Sequence, residues 1–233
     1  MARLRKAGRI WKQPEARAGA ERVLIEARDG LFTIEPDAIF GRKAPLEIEL
    51  GAGRGEFIVA RAVEFPERNF IAVELSGVVS RMLAVRCGAA NLQNLRVVRM
   101  DARPLVGLML APHSVSRYHI YFPDPWPKER HHKHRLFTAR MAAGLARTTA
   151  ADGFACVATD VCEYAAEIFA MLESAGFSRL EDRAPGAETT GFARKFIALG
   201  KPVFAATYRP PPPGAYGAAD KNGQLASRPA GIG

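Results

Sequence analysis

The sequence predicts an α/β fold, with a mostly parallel central sheet and helices on both faces. Five short apolar runs of strand character alternate with stretches of helical periodicity at roughly 25-residue intervals, the rhythm of a βα series. Each of the five runs ends in, or leads directly into, an acidic residue. At 233 residues and 48% apolar content the chain is long enough for one such domain, whereas two would be cramped.

In chain order, residues 1–39 are predicted to be a basic N-terminal arm and lead-in. Arg3, Arg5, Lys6, Arg9 and Lys12 occur there without an acidic residue before position 13. Residues 40–206 are predicted to be the folded domain. Its strand-like runs are Leu46–Leu50, Phe70–Glu74, Leu95–Asp101, Tyr118–Phe122 and Phe154–Thr159. Helical spacing links Val78 and Val79 to Met82 and Leu83, then Phe137 to Met141 and Leu145, then Tyr164 to Ile168 and Leu172, with Gly176 as a stop. Two further stretches, Phe177–Glu181 and Lys195–Leu199, are predicted to add a terminal pair of strands. Residues 207–233 hold Pro210 to Pro213 and repeated Gly and Ala, a composition expected to stay disordered.

Thirty-three Lys and Arg against 24 Asp and Glu leave a net charge of +9, which points to a polyanionic partner. No apolar run approaches the ~20 residues that cross a bilayer, so a soluble cytoplasmic protein is expected. Cys87, Cys156 and Cys162 show no C-x-x-C spacing and are expected to be reduced thiols, with no metal site. No long apolar seam marks an interface, and a monomer and a homodimer are both compatible.

The chemistry gathers at the strand ends. Glu49, Glu74, Asp101, Asp124 and Asp160 are predicted to ring one crevice, because open α/β sheets bind ligands beyond the carboxyl ends of their strands. The loop Gly51-Ala-Gly53-Arg-Gly55 follows the first run and enters a helix near Glu56, and its glycines let backbone approach a ligand. Glu56 stands where the dinucleotide fingerprint requires its third glycine. Glu74, 21 residues after Gly53, is placed to accept both hydroxyls of a ribose. An acidic crevice of this kind suits S-adenosylmethionine, with its ribose, ammonium and sulfonium, better than a pyrophosphate. Prolines 123, 125 and 127 stiffen the loop around Asp124 and Trp126 and are expected to hold the residues before them extended. Lys128 through Arg135 form a basic strip suited to RNA phosphates. Interleaved Lys and Arg argue against metal binding by His131, His132 and His134. Asp160-Val-Cys-Glu163 also reads as a capping box opening the next helix, a role compatible with a functional one.

These residues resemble the bacterial tRNA (guanine-N7-)-methyltransferase family, TrmB type, from about Phe40 to Val203. The motifs are Glu49-Leu-Gly-Ala-Gly-Arg-Gly55, Phe70-Ile-Ala-Val-Glu74, Asn94-Leu-Arg-Val, Asp101-Ala102, Phe122-Pro-Asp-Pro-Trp-Pro-Lys128, Arg130-His-His-Lys-His-Arg135 and Ala158-Thr-Asp160 followed by Tyr164. The resemblance implies a Rossmann-like class I S-adenosylmethionine-dependent fold and methyl transfer to N7 of a guanosine in the variable loop of tRNA. It implies that Glu49, Glu74, Asp101 and Asp124 bind the cofactor, with Gly51 and Gly53 beside them, and that Asp124 is also catalytic. Lys128 and Asp160 fall on positions that contact the guanine. Arg130, His131, His132, Lys133, His134 and Arg135 fall on the tRNA-contacting segment, His134 where Arg or Lys is common. The family's C-terminal motif, Thr, then Glu or Lys, an aromatic, then Glu, falls on Thr190-Gly-Phe-Ala193, so Thr190 and Phe192 match while Gly191 and Ala193 depart. Those departures motivate an alternative, a tRNA-binding protein that keeps the fold without turnover. An NAD-dependent oxidoreductase fits the alternation but neither Glu56 nor the basic strip.

Overall fold

The computed structural model of the protein describes residues 13–26 and 33–215; the basic arm at 1–12 and the tail beyond 215 lie outside the described residues. The elements are α1 (Pro14–Glu21), β1 (Leu24–Glu26), α2 (Pro36–Phe40), β2 (Leu46–Leu50), α3 (Glu56–Glu64), β3 (Asn69–Val73), α4 (Gly77–Ala89), β4 (Leu95–Arg99), α5 (Ala102–Pro104, continued by a π turn to Met109), β5 (Val115–Tyr121), α6 (Ala139–Thr148), β6 (Thr149–Thr159), α7 (Cys162–Ser174), β7 (Ser178–Glu181), α8 (Gly191–Ala198) and β8 (Phe204–Arg209). The strands form one sheet in the order β1-β4-β3-β2-β5-β6-β8-β7. The first six in that order pair in parallel, and β8 joins β6 and β7 antiparallel. The order reverses between β2 and β5, so the crevice of an open sheet opens there.

Both sheet faces are covered, and the pleat divides the core in two. In β3, Ile71 and Val73 join the cluster of α6 and α7, including Met141, Leu145, Ile168 and Leu172. Phe70 and Ala72 point the other way, toward Phe57, Ile58, Leu83 and Ala84 of α3 and α4. The period-2 pattern of β2 resembles a half-solvated strand, yet all five of its residues are buried. Leu46, Ile48 and Leu50 enter the first cluster, which leaves Glu47 and Glu49 on the face that α3 covers.

Helix boundaries follow local chemistry. Ser76 caps α4 by accepting from Val79 N at 3.4 Å, and Thr138 caps α6 by accepting from Met141 N at 3.1 Å. Gly176, at φ 89°, ends α7, where Phe177 N donates to Leu172 O at 3.1 Å. The expected capping box at Asp160 does not form. Helix α7 begins one residue later, with Val161 at the cap and no side-chain bond, and the Val161 N–H goes to Thr159 Oγ1 instead.

Three boundaries differ from the sequence expectation. Lys195–Ala198 is helical, with Leu199 at its C-cap, because Thr190 caps Ala193 N and opens α8 across the stretch. The closing strand is Phe204–Arg209, so residues 207–209 belong to the sheet, with Tyr208 fully buried beside Phe169 and Phe177. At the other end α1, β1 and α2 precede residue 41. Helix α1 packs on α4, where a Cβ at Gly88 would lie 2.5 Å from Gly19 C, so the two helices cross with backbone in contact. Among the described residues no helix is long and apolar enough to cross a membrane.

Candidate active site

A cleft of about 340 Å³ opens at the strand-order reversal. Gly51, Gly53, Glu74, Asp101, Asp124, His134 and Phe192 line it, so seven of the sequence-predicted site residues meet around one space. Its floor comes from the strand ends, Leu50, Val73 and Tyr121, and its rim includes Arg103, Phe122 and Trp126.

The glycine loop is built for close approach. Gly51, Gly53 and Gly55 all have positive φ, and the Gly51 and Ala52 amides both donate to Val73 O at 2.9 Å. Gly55 has a second constraint, since a Cβ there would come within 2.1 Å of Leu83 Cδ1. Glu74 ties the loop to the start of α4: its two carboxylate oxygens accept from Gly53 N at 3.0 Å and Ser76 N at 2.7 Å. A carboxylate held this way keeps lone pairs for hydroxyl donors.

Asp101 caps α5 through Arg103 N at 2.9 Å and grips the Arg103 guanidinium with both oxygens. Burial works to raise its carboxyl, and these hydrogen bonds outweigh burial and hold it below the usual range. Arg103 also reaches Lys133 O at 3.4 Å, which links the cleft wall to the basic strip.

Glu49 is not in the lining. It lies behind the loop, 4% exposed, accepting from the Ile58 N–H at the start of α3, while its Oε2 has no partner. Burial raises its carboxyl well above the ordinary range, with neighbouring Glu74 adding to the rise. Glu47, which the sequence did not single out, anchors a second buried group. It accepts from Arg61, from Arg68 at 3.1 Å and from His119 Nε2 at 2.8 Å. Burial would raise Glu47, but the bonds from His119 and Arg61 dominate and lower it to about 2. Burial lowers His119 to about 4, so the imidazole is neutral at pH 7 and its single hydrogen faces Glu47. The Tyr121 hydroxyl then has one hydrogen for two acceptors, Pro185 O at 3.0 Å and His119 Nδ1 at 2.9 Å. Through Pro185 this chain of contacts reaches the segment that carries Thr190 and Phe192.

The proline loop is stiff, though not in the expected way. Phe122 and Trp126, each preceding a proline, adopt φ of 53° and 41° where extended backbone was expected. Such residues cost about 1–3 kcal/mol each and persist only when their surroundings impose them. Phe122 N is fixed to Ala158 O at 2.7 Å, and Trp126 packs on His131 and His134 with ring centroids 5.8 and 5.2 Å apart. Arg135 donates to Pro125 O at 2.8 Å, pairs with Glu167 and lies 4.8 Å above the Tyr164 ring. With a side chain only 11% exposed, it braces the loop from inside. Asp124 is exposed between the two strained residues and makes no hydrogen bond among the described residues.

The other predicted residues lie around the cleft. Lys128, Arg130 and Lys133 are exposed and His131 and His132 half-buried, on a 3₁₀ turn over Glu129–His134. Asp160, half-buried at the end of β6, is outside the cleft lining. Thr190 is buried as the α8 cap, accepting from Ala193 N and donating to Ala187 O at 2.8 Å. Gly191 has a structural counterpart in Glu56: a Cβ at 191 would come within 2.2 Å of Glu56 Oε2, so that carboxylate fills the space a side chain would take. Tyr121, Phe122 and Arg103 were not legible as site residues, because an aromatic at a strand end reads as core and an Arg after an acid reads as surface.

A family model described as "Putative methyltransferase" matches residues 43–206. A protein named tRNA (guanine-N(7)-)-methyltransferase from Leifsonia xyli subsp. xyli is 39% identical over 196 residues, covering 81% of this chain and 85% of that one. The chain belongs to the tRNA (guanine-N(7)-)-methyltransferase family. A family member from Thiobacillus denitrificans is 37% identical over 183 residues, 76% of this chain and 80% of its own. The solved structure of 16S rRNA methyltransferase KamB superposes with a TM-score of 0.57 at 18% identity, over 82% of this chain and 99% of that one. A SAM-dependent methyltransferase from Aquifex aeolicus gives 0.51 at 13%, over 75% and 88%. These two likenesses establish the fold alone.

The family's cofactor can be tested against the residues present. A positively charged nucleoside needs carboxylates, hydroxyl acceptors and close backbone, which Glu74, Asp101 and the glycine loop supply. The buried Oε2 of Glu49, without a partner among the described residues, is a further unpaired polar atom behind the loop. Among the described residues no group of three His, Cys, Asp or Glu is arranged to hold a metal ion.

Proposed function

We propose that this cleft transfers a methyl group from S-adenosylmethionine to N7 of a guanosine in the variable loop of tRNA. The observation that carries the reading is the meeting of Glu74, Asp101 and Asp124 in one cleft at the strand-order reversal, beside the basic strip. Membership of the family supports the chemistry and the substrate.

S-adenosylmethionine supplies the electrophilic methyl when bound. Glu74 is assigned to the ribose hydroxyls, Asp101 to the adenine end, and Gly51 and Gly53 to close backbone contact. Glu49 acts from behind the loop as a further acidic group. Guanine N7 carries an in-plane lone pair and no proton, so no residue has to remove one. The protein's task is placement, together with stabilisation of the positive charge that develops on the purine. Asp124, exposed on a loop braced by Arg135, is the first choice for that electrostatic role, and Asp160, at the end of the neighbouring strand, is the second. Lys128 is assigned to another part of the nucleotide, because a cation beside N7 would oppose the transfer. Arg130 and Lys133, with the histidines between them, face RNA phosphates, while Arg135 acts through the loop.

Incubation of unmodified tRNA with the protein and methyl-labelled cofactor, then borohydride reduction and aniline cleavage, tests the reading. Cleavage in the variable loop is expected; label at another base or atom overturns it.

A further inference from the structure

Helix α8 and the turn after it carry a second concentration of positive charge, on the side of the cleft that Phe192 lines. Phe122, Phe192 and Phe196 form a connected aromatic group, with centroids 6.2 Å apart for Phe122 and Phe192, 5.7 Å for Phe122 and Phe196, and 6.2 Å for Phe192 and Phe196. Two of these rings line the cleft, and Phe192 is 58% exposed. The third is flanked by cations, Lys195 Nζ at 6.0 Å and Lys201 Nζ at 5.6 Å from the Phe196 centroid. Both lysines are exposed, and among the described residues neither has a carboxylate within ion-pair distance. Arg194, next to Lys195 in the chain, is engaged elsewhere, with Thr189 O at 2.8 Å and Glu56 at 3.9 Å.

Two exposed ammonium groups beside one ring, with no carboxylate within ion-pair distance of either, leave positive charge that phosphates can neutralise. An aromatic path that leaves a catalytic cleft and ends in cations has the chemistry of a single-stranded RNA track, where bases meet ring faces and phosphates meet ammonium groups. We propose that Lys195 and Lys201 form a second phosphate-contact site, on the Phe192 side of the cleft and apart from the Lys128–His134 strip, for the RNA strand whose guanosine enters the cleft, with Phe196 as the ring between them. The proposal rests on the reading of the cleft as a tRNA methyltransferase site and adds a grip on the other flank of the target nucleotide.

The test uses the full chain, unmodified tRNA transcript and S-adenosylhomocysteine, with tRNA affinity measured as a function of salt for wild type, K195Q/K201Q and K195R/K201R. Removing two single-strand phosphate contacts should reduce the slope of log affinity against log salt by roughly 1.4, and weaken binding on the order of 20-fold near 0.1 M salt. The arginine pair should keep the wild-type slope, and calorimetric binding of S-adenosylhomocysteine should be the same in all three. Normal wild-type tRNA binding with an unchanged slope in K195Q/K201Q overturns the α8 assignment alone, and points to a protein partner or bare solvent on that face. Failure of the wild-type chain to bind tRNA overturns the reading of the cleft, and this proposal with it.

Discussion

Replacing His119 by glutamine probes the buried group beneath the cleft. His119 is fully buried between Glu47 and Tyr121, and burial lowers it from 6.5 to about 4. The folded state therefore takes up a proton there less readily than the unfolded chain. Stability from this group is complete above pH 6.5 and is lost as pH falls through 4. Between those limits the unfolded chain holds up to one proton more, a slope of about 1.4 kcal/mol per pH unit and about 3 kcal/mol in all. Glu47, lowered from 4.5 to about 2, gives a loss of the same sign in the next window down. His119→Gln keeps an amide to donate to Glu47 and removes the titration. At pH 7 it should be about 1–3 kcal/mol less stable than wild type, from imperfectly replaced hydrogen bonds. On acidification its disadvantage should shrink, so that the two stability curves meet between about pH 6 and pH 4 and cross below that point. Urea unfolding monitored by circular dichroism at half-unit steps from pH 7.5 to 4 measures both curves. Parallel curves across that interval would show that His119 is not held neutral by burial, and the assignment of a single contested hydrogen at Tyr121 would fail with it.

Asp124→Asn should slow methyl transfer to tRNA by about 100-fold or more while calorimetric cofactor binding changes little, since the carboxylate is assigned to charge developing on the base. Near-normal turnover sinks that role. Gly55→Ala meets both a φ of 68° and the Leu83 side chain, and should cost about 2 kcal/mol or more in urea unfolding. An unshifted midpoint would mean that the loop relaxes freely. Arg135→Met removes the brace on Pro125 O and Glu167, so amide exchange over 124–131 should accelerate and turnover fall while cofactor affinity holds. Unaltered exchange there would place the stiffness of the loop in its prolines alone.

The sheet was legible where a strand's residues are apolar and its end is acidic. Runs at 46–50, 70–74, 95–101, 118–122 and 154–159 all appear as strands within a few residues. The ends of the chain were harder. Strand β1 is three residues long and α1 is rich in charge and alanine, so neither has a face apolar enough to announce itself. The stretch Lys195–Leu199 satisfies strand and helix patterns alike, and the cap at Thr190 decides it. Strand β8 was hidden by the prolines that follow it. In the site, Glu74, Asp101 and Asp124 were readable because spacing from the glycine loop places strand ends together. What spacing cannot report is depth: Glu49 belongs behind the loop rather than in its mouth. Nor does local pattern reveal contacts across the sheet, which is why Glu47, His119 and Tyr121 emerged only from the three-dimensional arrangement.

The carboxylate of Glu56, lying where a side chain at 191 would project, makes two distant positions interdependent. A glutamate at 191, one of the two residues the family motif carries there, would set two negative groups in a space that holds one, whereas a lysine there would meet Glu56 as an opposite charge. Relieving that conflict requires the Glu56 side chain to swing out toward solvent or residue 56 to change. Substitutions that are harmless together would then be harmful singly, so the route by which such a motif is gained or lost has an order. Transplanting the C-terminal motif of a relative into this chain is a two-site exchange, and a comparison that scores each position by itself would misjudge both.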